Sequence, residues 1–94
     1  MLNIPTDSEL QLPLIHLNGN SGTALGKQYF TALQALEALE NDFANIEFHS
    51  RDYYPMGDEA FLKAKAQRVA IKLKFSEIRE YLERHSEHCF ASAR

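Results

Sequence analysis

Two polar clusters hold the residues of this chain whose types and spacing can do chemistry. The first is His16-Leu17-Asn18-Gly19-Asn20-Ser21-Gly22, immediately ahead of a stretch with helical periodicity. A glycine-containing loop that opens a helix presents free backbone N–H groups under the positive end of the helix dipole, where phosphate oxygens bind well. Lys27 stands about one turn further along. Gly19, Gly22 and Gly26 match neither a Walker loop nor a dinucleotide fingerprint, because no βαβ pattern surrounds them. The same residues also make an Asn-Gly turn followed by a Ser cap, and spacing alone favours that plainer geometry.

The second cluster is His49-Ser50-Arg51-Asp52-Tyr53-Tyr54-Pro55-Met56-Gly57. Tyrosines offer stacking faces for a base, Arg51 a planar fork for phosphate, and Asp52 an acceptor for amino or hydroxyl donors. An Arg51–Asp52 surface pair with two tyrosines covering the end of a helix pair is the competing reading. Adjacent tyrosines point in different directions, so one of them is a candidate for packing.

Charge placement adds to this. Seven of the ten basic residues fall between 63 and 84: Lys63, Lys65, Arg68, Lys72, Lys74, Arg79 and Arg84. Residues 58–75 carry five positive charges against Asp58 and Glu59, whereas 76–88 carry Arg79 and Arg84 against four glutamates. Cations in the first half of a helix oppose its dipole, so a basic half-helix beside Arg51 points to an anionic ligand, and otherwise to a solvated lysine face. His85, His88 and Cys89 share a helical stretch, but no third ligand is evident, so no metal or other cofactor is expected. No nucleophile comes with a base and an orienting group, and no enzymatic activity is expected.

Residues 1–13, with Pro5 and Pro13, read as an irregular arm, and 14–18 as a short extended segment. Ser21 is the expected cap of a helix over 22–42, with Thr23 competing. Its apolar stripe runs Leu25, Tyr29, Ala32, Leu33, Leu36, Leu39 and Phe43. Residues 44–57 break the period and form a loop, with a short extended piece at Ile46–Phe48. Asp58 then caps a second helix over 59–88. Its stripe is Phe61, Ala64, Ile71, Phe75, Ile78, Leu82 and Cys89, with Arg68 and His85 in the gaps and Val69, Ala70 and Leu73 widening it. No proline or glycine follows Gly57, which permits one rod of roughly 45 Å. Together these predict a single all-α domain, a helical hairpin with a long second helix.

Ninety-four residues and 10.7 kDa leave room for one small core. Phe30, Phe61, Phe75 and Tyr81 are expected to lack partners on their far sides. Cys89 is the sole cysteine, so no internal disulfide staples the fold, and a reducing cytoplasmic setting is expected. Self-association, as a homodimer or higher oligomer, is the expected remedy. A net charge of −3 disfavours a DNA or RNA polymer as partner. The apolar runs are far short of the ~18–20 residues of a membrane span, and the first residues lack the basic and apolar regions of a secretion signal.

The order His16-x-Asn18-Gly19-x-Ser21, a helix with Tyr29 and Ala/Leu repeats, then Arg51-Asp52-Tyr53-Tyr54-Pro55-x-Gly57 and Ala60-Phe61 resembles a family of small bacteriophage and prophage proteins. That family is similar to phage sponge proteins that sequester cyclic-nucleotide immune signals, such as those of CBASS defence. The resemblance spans most of residues 14–85. Asn20 stands where the family pattern has Thr, which removes a hydroxyl from that position. The resemblance implies binding without turnover in the cytoplasm of an infected or lysogenic bacterium. Asn18, Gly19, Asn20 and Ser21 would hold phosphate or ribose, with His16 and Lys27 nearby. Arg51 would pair with phosphate, Asp52 would accept, and Tyr53 or Tyr54 would stack on a base. The reading from another class is an inhibitor or adaptor that binds a protein through the Arg51–Met56 loop.

Overall fold

The computed structural model describes residues 10–17 and 19–92. Helix α1 spans Gly22–Ala44, two single-turn 3-10 helices follow at Ser50–Asp52 and Tyr54–Met56, and helix α2 spans Asp58–Ala91. α1 and α2 pack antiparallel as a hairpin, and the 34 residues of α2 make a rod of about 50 Å. The molecule is correspondingly long and thin, 61 × 25 × 16 Å. No helix of the described residues is long and apolar enough to cross a membrane.

The all-α hairpin, its long second helix and the capping role of Ser21 are as expected. Several local expectations change. Residues 14–17 and 46–48, read as extended, join no strand pairing among the described positions, and the His16 carbonyl accepts from Gly19 N–H at 3.2 Å, closing a tight turn. Gly57, not Asp58, is the residue ahead of α2, at φ +99°, a conformation that strains any L side chain. Asp58 becomes the first helical residue, and with Glu59 it puts carboxylates where the dipole favours them.

The inward stripes are narrower than periodicity alone suggests. Gly22, Gly26, Leu33 and Leu36 are the buried residues of α1, and His85, Ser86 and Cys89 those of α2. Leu39, Val69 and Leu73 are more than half exposed, so the positions expected to widen the α2 stripe lie off it. A two-helix hairpin has one partner for each helix and can bury only one side of it. Phe61 and Phe75, expected to lack partners, find them in the other rings of the loop end: Phe48 stacks on Phe61 at 5.1 Å, and Phe43 meets Phe75 edge-on at 5.4 Å. Phe30 and Tyr81 do remain exposed.

Candidate functional site

At one end of the hairpin, α1 begins with a complete N-cap. Ser21 has extended backbone dihedrals, its Oγ accepts from Ala24 N–H at 3.0 Å, and its carbonyl accepts from Leu25 N–H at 3.0 Å. Gly22 and Thr23 therefore keep the N–H groups that a helix ladder leaves unused. No acidic side chain occupies the first turn to compete for them. The Nε2 side of the His16 ring comes close to the turn: a Cβ at Gly19 would sit 2.9 Å from His16 Nε2, so glycine lets the ring approach so closely.

Between this turn and the last residue of the hairpin lies a pocket of about 470 Å³, lined by Ile15, His16, Leu17, Gly19, Ser21, Gly22 and Ser92. That volume is within the range of small-ligand pockets. Asn20 and Lys27 are exposed, and neither is part of the pocket's wall. Asn18 lies outside the described residues. The C-terminus of α2 approaches the same end, and its negative dipole end partly offsets the positive end of α1. The pocket thus offers hydrogen-bond donors for an anion, without a concentrated positive charge.

Below the pocket, the residues weighed above as metal ligands have packing tasks. His85 Nδ1 donates to the Tyr81 carbonyl at 2.9 Å, and its ring stacks on Tyr81 at 4.0 Å and leans on Tyr29 at 4.8 Å. His88 Nε2 donates to the Pro13 carbonyl at 2.6 Å, tying the N-terminal arm to α2. Cys89 is fully buried, and burial pushes its thiol pKa up. Burial also raises the pKa of Tyr29, with smaller contributions from Tyr81 and Cys89. No group of three or more His, Cys, Asp or Glu among the described residues could hold a metal ion. Gly26, read above only as part of a glycine spacing, lies against the Phe90 ring, and Ser86 Oγ donates to its carbonyl at 3.4 Å.

The second cluster sits at the other end, on the two 3-10 turns. Arg51 and Asp52 are exposed. The tyrosines diverge as their adjacency suggests. Tyr53 is half-buried, its ring 5.6 Å from Phe48 and 6.0 Å from Phe61, whereas Tyr54 is 67% exposed. Behind them Arg68 reaches across the hairpin: its guanidinium lies 4.4 Å from the centre of Phe43 and 4.8 Å from that of Phe48, and donates to the Phe43 carbonyl at 3.4 Å. A basic residue of the half-helix is therefore taken up in holding the loop, which its charge alone does not reveal.

The 23 residues of α1 separate the two clusters by about 35 Å. The 45–57 connection stays at its own end, with Phe48 and Tyr53 packed on the start of α2. Within one chain the clusters are two places. No protein-family model matches this chain, and neither a curated protein nor a solved structure matches it.

Proposed function

We propose that the chain is a non-catalytic nucleotide-sequestering protein of phage or prophage origin, working in the bacterial cytoplasm, which holds a cyclic dinucleotide or related signal away from its receptor. The observation that carries this reading is the pocket of about 470 Å³ at the capped N-terminus of α1, walled by His16, Gly19, Ser21 and Gly22 and without an acidic residue in the helix's first turn. Such a pocket suits a phosphate with its attached ribose. Among the described residues, His16 is the one ring in its wall and no arginine lines it, and a nucleotide needs both a broad stacking face and a cation for tight retention. Arg51 and exposed Tyr54 supply them, about 35 Å away. The proposed assembly is a homodimer or higher oligomer in which one chain's pocket meets the Arg51–Tyr54 turn of its mate.

Titration calorimetry against a panel of cyclic dinucleotides tests the reading directly. Arg51→Ala and Tyr54→Ala should each weaken binding about tenfold to a hundredfold without loss of helix, since a charge-assisted contact or a stacked base contributes roughly 1–3 kcal/mol. Ser21→Arg, which fills the pocket, and Arg51→Glu should each abolish binding alone. Mixed together, they should recover one site per dimer. Absence of binding by any nucleotide overturns the proposal.

One observation favours the second reading, a protein-binding inhibitor or adaptor. Tyr54 and Met56 are 67% and 68% exposed in one 3-10 turn, close in sequence to Arg51, a composition found at interface centres. Recovery of a specific protein partner that Tyr54→Ala and Met56→Ala both release, with no nucleotide bound, would establish it.

A further inference from the structure

The side of α2 turned away from α1 carries an apolar stripe of its own. Leu62, Ala66, Val69 and Leu73 recur at intervals of four, three and four residues, the a/d spacing of a heptad. Ala66 is exposed, and Leu62, Val69 and Leu73 are 62%, 58% and 62% exposed. The positions that continue the register are polar: Glu59 before it, and Ser76, Glu80, Glu83 and Glu87 after it. The seam therefore ends where it does on both sides, and is about 18 Å long. Lysines margin it. In the same register Lys65 and Lys72 take g positions and Lys63 an e position, with Lys74 next out on the Lys63 side. All four are exposed, and among the described residues no carboxylate pairs with any of them. Lys65 Nζ lies 5.7 Å from the centre of the Phe61 ring, a contact that leaves its charge uncompensated.

We propose that the Leu62–Leu73 stripe docks a helix of another protein, one whose own apolar seam runs between acidic margins. Charge complementarity selects the occupant. Glutamate or aspartate at the e and g positions of the incoming helix meets lysine on both sides, and e/g pairing sets partner choice between helices packed on a/d seams. A second copy offers no such helix among the described residues. Two copies joined at this stripe bring lysine against lysine, the α1 carboxylates Glu37 and Glu40 are taken by Arg79, and the second half of α2 has carboxylates at the seam positions themselves. An anionic lipid surface matches the lysines but not the stripe. Interfacial helices sink a broad apolar face with large or aromatic anchors, whereas this is a single line of aliphatic side chains, the narrow form of a helix–helix seam. Four seam positions are too few for a permanent coiled coil, so the contact is a transient one, below the standard interface size.

The stripe lies on α2, away from the Arg51–Met56 turn, and its test needs no nucleotide. Fluorescence anisotropy with the full chain uses a labelled synthetic helix of about 21 residues, three heptads with leucine at a and d and glutamate at e and g. It should bind with a dissociation constant on the order of 10–100 μM at low salt, and more weakly as salt rises. The same peptide with lysine at e and g should not bind, and neither should one that keeps its glutamates but has glutamine at a and d. Leu73→Gln should weaken the acidic peptide about tenfold, the loss of one buried side chain, while far-ultraviolet circular dichroism stays helical. Should Leu73→Gln lose its helices, Val69→Gln decides in its place. Replacing all three e and g lysines, Lys63→Glu, Lys65→Glu and Lys72→Glu together, should reverse the preference toward the lysine peptide. Equal binding of the leucine-free acidic peptide reduces the stripe to bulk charge and overturns the inference. So does a failure of the acidic peptide to bind, or a charge reversal that leaves the preference as it was. Phosphatidylserine vesicles that bind the chain and are released by Leu73→Gln, or self-association that the same variant abolishes, assign the stripe to another occupant and overturn it equally.

Discussion

The two ends of the hairpin hold the same pair of helices together by different means. At the pocket end the helices approach closely over Gly26, and the buried side chains are small or polar: Ser86, Cys89, and His85 between two tyrosines. At the loop end no residue is fully buried, and the space is filled by Phe43, Phe48, Tyr53, Phe61 and Phe75 around the Arg68 guanidinium. A close approach tolerates no added volume but brings backbone and side-chain polar groups into reach. An aromatic cluster spans a wider gap and tolerates partial exposure, since rings and guanidinium retain favourable contacts beside water. The pocket end is therefore the closely packed platform of the hairpin, and the loop end the one filled by rings and open to water, where Arg51 and Tyr54 are exposed.

The largest predicted effect breaks the platform. A Cβ on Gly26 already falls 3.0 Å from carbons of the Phe90 ring. Gly26→Leu must displace the Phe90 ring, which is 42% exposed, from its seat on α1 and should cost about 2–3 kcal/mol, within the range for overpacking. Thermal unfolding measures it, and Phe90→Ala in the same chain should return part of the loss, because the clash is with that ring. At the loop end, Arg68→Ala removes two cation–π contacts and the bond to the Phe43 carbonyl. The expected cost is about 1–2 kcal/mol. Arg68→Lys should recover little of it, since an ammonium cannot lie as a plane against two rings.

A smaller effect separates the cap from the pocket. Ser21→Ala removes the acceptor for Ala24 N–H and should cost about 1 kcal/mol in denaturant unfolding, whereas Ser21→Gly should cost only a few tenths. A larger loss in nucleotide affinity than in stability would show that the hydroxyl serves the ligand as well as the helix.

Much of the fold was legible in the sequence because few signals competed. An uninterrupted period and the lack of proline or glycine beyond Gly57 place α1 and α2 within three residues of their observed ends. The inward side was less legible. Val69 and Leu73 belong to a second apolar stripe, and periodicity cannot say which of two stripes meets the partner helix. The Gly26–Phe90 approach and the Arg68 contacts depend on the register between segments far apart in the chain, which no local pattern encodes. At the candidate site, the Ser21 cap followed from local chemistry. The pocket did not, because the C-terminus of α2 closes one side of it through Ser92.

The smallest predicted effect is alkaline. Cys89 and Tyr29, both at the pocket end, have pKa values raised above their ordinary 9.0 and 10.0, in each case chiefly by burial. A raised pKa means the folded chain keeps its proton where the unfolded chain has lost it. Stability is then fully present below the unfolded-state value and declines as pH rises through the folded one. Melting temperature should therefore hold steady across neutral pH, begin to fall near pH 9 as the unfolded thiol ionises, and fall more steeply near pH 10 as the unfolded Tyr29 follows. Cys89→Ala should remove the earlier part of the decline and leave the later part, at the separate and pH-independent cost of a small cavity. Arg68 packs at the other end of the hairpin, against Phe43 and Phe48, so Arg68→Ala should lower the whole curve and leave this alkaline decline in place. A Cys89→Ala curve parallel to that of the parent would place the alkaline loss elsewhere and end the assignment of this sensitivity to the pocket end.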